Sequence, residues 1–312
     1  MILYLAGSLG ADKLERLAHR AHATNFLETF AHKDAQACAR SLAGERGMKL
    51  FVDSGAFTAW AKGTKIDIDE YIKFCHEIKT KCAANGVPVT FASLDVIAGK
   101  KGELRDPSSA EVEKASEAGW ENYLHMKKNG IQPLMVFHGL EKFKWLRRMM
   151  EDSDYVGLSP RKVNTTTEQK CDWLKKCFLV LEDYRKSRPA GTILTKTHGF
   201  GISSPEILEK FPFYTADSTA WLNAGRTGAY RYWTGRRAQL LAPSFWPARL
   251  DVSIPAIDRY RAPKFKGDGS DDVGIYWFSM RAMKMDVRLE EYLNRHWASK
   301  GVTWPEPQPP IT

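Results

Sequence analysis

Short runs rich in β-branched and aromatic residues alternate along most of the chain with longer stretches whose apolar positions recur at helical spacing. That is the pattern of a parallel sheet with crossover helices. Strands are predicted at Ile2–Ala6, Leu50–Asp53, Val87–Leu94, Gln132–Phe137, Tyr155–Leu158, Thr192–His198 and Phe213–Ala216. Helices are predicted at Asp12–Phe30, Asp69–Asn85, Ser108–Asn129, Leu140–Glu151, Thr167–Lys186 and Pro205–Lys210, with another around Arg288–Lys300. Within Thr167–Lys186, Cys171, Leu174, Phe178 and Leu181 fall on one stripe.

Strands and helices in this order predict an α/β fold, a (β/α)8 barrel of the TIM type whose eighth strand the pattern does not place. An open doubly wound sheet is the alternative, weakened because no GxGxxG or GxxxxGK[ST] segment follows any strand. After Leu250 the pattern changes. Pro255, Pro263 and the Gly267–Gly274 stretch read as loop, and the terminal WPEPQPP as an extended, mobile tail. Residues 1–250 are therefore expected to form the barrel, and residues 251–312 a basic, aromatic-rich extension packed on it.

With 312 residues, 43% hydrophobic and 27% charged, the chain can bury a large core, which excludes wholesale disorder. No apolar run approaches the roughly 18 to 20 residues of a membrane span, and the opening MILYLAGSLG is short for a signal-peptide core. A soluble cytoplasmic protein with no membrane partner is expected. Five widely spaced cysteines with no CxxC pair point to reduced thiols and away from a structural zinc site. His19 and His22 lie three apart on a predicted helix but lack a third ligand nearby.

Charge adds a partner class. Lys and Arg number 46 against 37 Asp and Glu, a net +9, which favours a polyanion. Between Ser218 and Leu250 there is no acidic residue. There Arg226, Arg231, Arg236, Arg237 and Arg249 are interleaved with Tyr230, Tyr232, Trp233, Phe245 and Trp246. Guanidinium groups suit phosphates and aromatic faces suit unstacked bases, so the segment reads as a nucleic-acid surface, with Trp233 as a stacking platform. A core segment with snorkelling arginines is the alternative. A second basic run, Arg259, Arg261, Lys264 and Lys266, follows.

In a barrel, polar residues at the carboxyl ends of the strands converge on one mouth. Three aspartates occupy such positions, in Asp53-Ser54-Gly55, Ser93-Leu94-Asp95 and Thr215-Ala216-Asp217. Singly, each reads equally as a helix N-cap. Together they allow one ionised nucleophile, one proton carrier and one partner for an N–H edge, the set that glycosyl transfer requires. Gly55, Gly139, Gly157, Gly199 and Gly201 also follow strand ends; they serve either as turn residues or to let a flat ring approach the backbone.

The segment Phe51-Val52-Asp53-Ser54-Gly55-Ala56-Phe57 resembles the DSGGFQ motif of tRNA-guanine transglycosylases. Leu94-Asp95 is similar to their base-recognition segment, Val136-Phe137-His138-Gly139 to VQG, Val156-Gly157-Leu158-Ser159 to the glycine-leucine loop, and Phe213–Asp217 to the nucleophile strand. The likeness spans about Phe51 to Trp221. It implies a (β/α) barrel that exchanges guanine in nucleic acid for a 7-deazaguanine. By the same resemblance Asp217 is the nucleophile on C1′, Asp53 the general acid/base, and Asp95 the reader of the N1–H and 2-amino edge. Ser54, Gly55, Phe57, Gly157 and Leu158 would line the base pocket, with His138 facing it; His198 either faces the same pocket or is a buried histidine satisfied by the backbone.

Departures refine that expectation. Family members acting on tRNA carry a CxCxxC…H zinc site after the nucleophile strand, and this chain has no cysteine beyond Cys177. His138 stands in place of glutamine, and Ala56-Phe57-Thr58 in place of GFQ. The zinc-less DNA-modifying branch, found in phages and bacterial genomic islands, is the more similar. It implies replacement of guanine in DNA by free 7-cyano-7-deazaguanine or a derivative, in a bacterial or phage-infected cytoplasm, with no metal or redox cofactor. Accessory proteins or a homodimer stay open. The alternatives are a tRNA transglycosylase lacking the zinc module, a non-catalytic nucleic-acid-binding barrel that senses a purine-like base, and a glycoside hydrolase.

Overall fold

In the computed structural model, eight parallel strands pair in chain order around a ring. The structure describes residues 1–7, 10–99, 106–160, 165–189, 195–227, 230–233, 238–241 and 272–310. The strands are β1 (Ile2–Ala6), β2 (Asn25–Thr29), β3 (Lys49–Asp53), β4 (Val89–Phe91), β5 (Met135–His138), β6 (Tyr155–Ser159), β7 (Lys196–Gly199) and β8 (Thr215–Ser218). β8 pairs with β1 in parallel, and a parallel bridge between Ala92 and Leu134 closes the ring between β4 and β5. Ser93 N–H donates to Leu134 O at 2.8 Å across that seam, and Leu134 N–H to Phe91 O at 2.7 Å. The fold is the expected (β/α)8 barrel.

Around it lie α1 (Ala11–Ala21), α2 (Lys33–Leu42), α3 (Ala56–Lys62), α4 (Ile68–Asn85), α5 (Ser109–Lys128), α6 (Phe143–Asp152), α7 (Thr167–Lys186), α8 (Pro205–Leu208) and α9 (Ala220–Thr227). Several helices start where local chemistry dictates. Asp67 accepts from the N–H groups of Asp69 and Glu70 at the head of α4. Reciprocal capping boxes, Ser108 with Glu111 and Thr166 with Gln169, open α5 and α7.

One predicted helix is corrected. Asp12–Phe30 is not continuous: α1 ends at Ala21, and Asn25–Thr29 is β2, the unplaced strand. The stop is hidden because the residue closing α1 in the left-handed conformation is His22, at φ 56°, where glycine is usual. Asn25 and Glu28 also give β2 a polar look, although both are buried. α2 was missed with it.

Period-2 alternation divides each strand's side chains between two layers. Tyr4, Leu27, Phe51, Ala92, Leu134 and Val136 pack inside the barrel. Leu5, Phe26, Leu50, Val52, Phe137, Val156, Leu158 and Ala216 pack outward in the helix-facing core.

The last long helix, α10 (Asp272–Ala298), lies against α9, α1 and β1. Its Glu290 accepts from the Leu3 N–H at 2.6 Å and from Asn25 Nδ2 at 2.8 Å, on strands whose own pairing starts further on. Beyond it Trp304 meets Tyr214, ring centres 5.7 Å apart, at the amino-terminal end of the barrel, and Glu306 pairs with Lys49 at 3.0 Å. Residues 251–271, including the second basic run, lie outside the described residues. No helix among the described residues is long and apolar enough to cross a membrane.

Candidate functional site

Because the strands are parallel, their carboxyl ends share one mouth, and the register decides which side chains enter it. Asp217 pairs with inward Tyr4, Asp53 with Thr29 two residues beyond the inward Leu27–Phe51 pair, and His138 with Ser159. β4, which precedes Asp95, and β8, which carries Asp217, are four strands apart in the ring of eight.

Each carboxylate is held differently. Asp217 Oδ1 accepts the Gly201 N–H at 2.7 Å and lies 3.3 Å from His198 Nε2. Asp95 Oδ2 lies 2.7 Å from His138 Nε2, while Ser54 Oγ donates to Asp95 Oδ1 at 3.4 Å. Asp53 Oδ2 accepts the Gly55 N–H at 3.2 Å. Phe57 stands 45% exposed on the first turn of α3 beside Trp60, whose Nε1–H is fixed on Gly99 O at 2.9 Å. Val96 and Leu140 are exposed on the neighbouring loops, so the β3–β5 side of the mouth carries an apolar rim.

Behind Asp95 and His138 lies a residue that the sequence reading passed over. Glu141 is half-buried; one oxygen accepts the His138 backbone N–H at 2.7 Å and the other the Ser116 hydroxyl at 2.6 Å. Burial raises its pKa above the usual carboxylate value. Its only signal in the sequence is a charge three residues after a strand-end histidine.

Several expected pocket residues sit elsewhere. Leu158 is wholly buried in the helix-facing core, because the residue next to inward-facing Ser159 must face outward. Gly157 faces inward, but the Phe200 ring fills the space: a Cβ there would lie 2.5 Å from Phe200 Cε2. At Gly55 a Cβ would come within 2.4 Å of Ala31 Cβ at φ +79°, so this glycine serves a close chain crossing and caps α3. Ser54 is fully buried and supports Asp95. His198 has no exposed surface at all; it lies one layer beneath the mouth, stacked on Phe51 at 4.4 Å and meeting the edge of Phe200 at 4.3 Å. Of the two readings of His198, burial is the one that holds, with Thr215 and Asp217 rather than the backbone as its partners.

His198 instead continues inward. Its Nδ1 lies 2.6 Å from Thr215 Oγ1, and that oxygen shares a second hydrogen bond with the Tyr155 hydroxyl. Burial lowers the His198 pKa despite the opposing pull of Asp217, and burial pushes the Tyr155 hydroxyl far above its usual value.

Of the expected nucleic-acid surface, Arg226 belongs to α9, and Arg231 and Trp233 belong to β9 (Tyr230–Trp233). β9 pairs antiparallel with β10 (Ala238–Leu241), so a ribbon follows the strand that carries Asp217. Arg236, Arg237 and Arg249 lie outside the described residues. No cluster of three or more metal-ligating side chains occurs among the described residues.

Fold and site define a TIM-type barrel with a carboxylate-lined mouth. No protein-family model matches the chain, and no curated protein sequence matches it. Among solved structures it is similar to one described as a putative fructose-1,6-biphosphate aldolase from Coccidioides immitis, at 12% identity and a TM-score of 0.36, over 96% of this chain and 93% of that one. Likeness at this level assigns no chemistry.

Proposed function

We propose that the protein is a pentosyltransferase that exchanges guanine in DNA for a free 7-deazaguanine base by double displacement. The observation that supports this reading is that Asp217 and the Asp95–His138 pair follow strands on opposite sides of the ring, β8 against β4 and β5. A purine carries its glycosidic nitrogen and its N1–H/O6 edge at opposite ends. A flat base between those sides would present N9 and C1′ to Asp217 and its polar edge to Asp95 and His138. An acceptor beside a nitrogen donor complements the N–H and carbonyl groups of that edge. The exposed Phe57 and the apolar rim suit its faces.

In the first displacement an Asp217 oxygen bonds to C1′ as the C1′–N9 bond breaks; the bonding pair stays on N9, and guanine leaves after N9 takes a proton from Asp53, which the second step returns. In the second, the incoming base gives its N9 proton to Asp53, N9 attacks C1′, and the Asp217–C1′ bond breaks to regenerate the carboxylate. The Gly201 and His198 contacts fix Oδ1 of Asp217 and so orient Oδ2 for attack. Extrusion of the nucleotide from a duplex would be needed to reach the mouth, with the basic segment after Asp217 holding the opened strand.

The test is incorporation of labelled guanine into duplex DNA, single strands and tRNA in parallel. Incorporation into DNA that Asp217→Ala abolishes while DNA binding persists is the expected result. Normal exchange by Asp217→Ala refutes the assignment, label entering tRNA alone moves the substrate to tRNA, and binding without exchange on any polymer makes the barrel a sensor.

A further inference from the structure

We propose that Tyr155, Thr215 and His198 form a one-way hydrogen-bond relay that presents an Nε2–H to Asp217, making all three positioning residues for the carboxylate. This rests on the reading of Asp217 as the nucleophile. The direction follows from valence. An ionised carboxylate only accepts, so the contact to Asp217 Oδ1 requires the proton on His198 Nε2. The ring is wholly buried on Phe51 and Phe200, and burial favours its neutral form. A neutral ring protonated at Nε2 bears a lone pair at Nδ1, so Thr215 must donate its hydroxyl proton there. That proton being used, the Thr215 oxygen can only accept from Tyr155.

The register builds this line. His198 pairs with Thr215 on β7 and β8, and Asp217 lies two residues beyond Thr215 on the same inward face. Either hydroxyl therefore selects the tautomer of a ring that neither solvent nor substrate touches. With Gly201 N–H as the second donor, Oδ1 is held on two sides. Loss of the relay should misorient Asp217 without altering the Asp95 side where the base is read.

The experiment is nitrogen NMR of histidine-labelled full-length protein, with His198→Gln assigning the resonances, alongside exchange kinetics with labelled guanine and duplex DNA. The expected wild-type signature is a neutral His198 protonated at Nε2. Thr215→Val, which keeps the shape and removes the donor, should shift the tautomer and lower kcat about 10- to 100-fold at unchanged KM, and Thr215→Ser should restore both. An Nδ1-protonated or charged His198 in the wild type, or an unaltered tautomer in folded Thr215→Val, overturns the relay. Absence of exchange by the wild type with the expected tautomer behaviour removes the transglycosylase reading and leaves the relay standing.

Discussion

His138 Nε2 stands 2.7 Å from Asp95 Oδ2, across the seam where β4 and β5 close the barrel. The two side chains come from adjacent strand ends, and Glu141 and Ser54 brace them from behind. The contact joins the ends of the two strands across that seam.

If that pair reads the base, Asp95→Asn puts an amide where the purine edge needs acceptors. Activity for the incoming base, as kcat/KM, should fall on the order of 100-fold or more, because buried polar groups are left unmatched. His138→Gln, which keeps a nitrogen donor, should lose far less than His138→Leu. Exchange kinetics with labelled guanine across the three variants measure the order.

Gly157 is a packing position. Its Cβ would lie 2.5 Å from the Phe200 ring and 2.8 Å from Leu134 Cδ2. Gly157→Ala should destabilise by about 1–3 kcal/mol through overpacking, and Phe200→Leu in the same chain should recover part of it. Urea unfolding of the single and double variants tests this coupling.

Glu28 is 1% exposed on β2, and neither carboxyl oxygen has a hydrogen-bond partner among the described residues. Burial raises its pKa well above the usual 4.5. The native chain then keeps a proton that the unfolded chain has released, so stability falls as pH rises above about 4.5. Glu141 and Glu290 act in the same direction, and His198, lowered by burial, acts oppositely below its usual 6.5. The difference between wild type and Glu28→Gln isolates one group. The variant should gain on the wild type by up to about 1.4 kcal/mol per pH unit through the window, read from denaturant midpoints at a series of pH values.

Trp304 rests on Tyr214 at the amino-terminal end of the barrel, inside a proline-rich stretch. Trp304→Ala should uncover the interior cluster there and destabilise by about 1–3 kcal/mol while leaving the opposite mouth intact. Thermal unfolding, with exchange activity measured well below the transition, separates the two effects.

Much of the fold was legible because β1 and β3 to β6 are short runs rich in apolar residues, β7 and β8 directly follow such runs in the sequence, and α4, α5 and α7 carry helical spacing with strong caps. β2 was not legible. Its buried Asn25 and Glu28 look polar, and the break before it is made by a histidine in a glycine-like conformation. The three mouth aspartates could be named because a strand end is a local feature. That Ser54, Gly55, Gly157, Leu158 and His198 are buried or closely packed could not be read there, because exposure at a strand end depends on which face a side chain takes and on what a neighbouring loop fills in.

The order of the strands, the acidic strand ends and the aromatic-arginine run after Asp217 are written in the sequence, since each depends only on neighbours a few residues away. That Asp95 meets His138, that Asp217 is held by Gly201 and His198, and that Phe200 occupies the space over Gly157 were decided by tertiary structure. Those contacts join residues from different strands, and only closure of the ring fixes the register that brings them together.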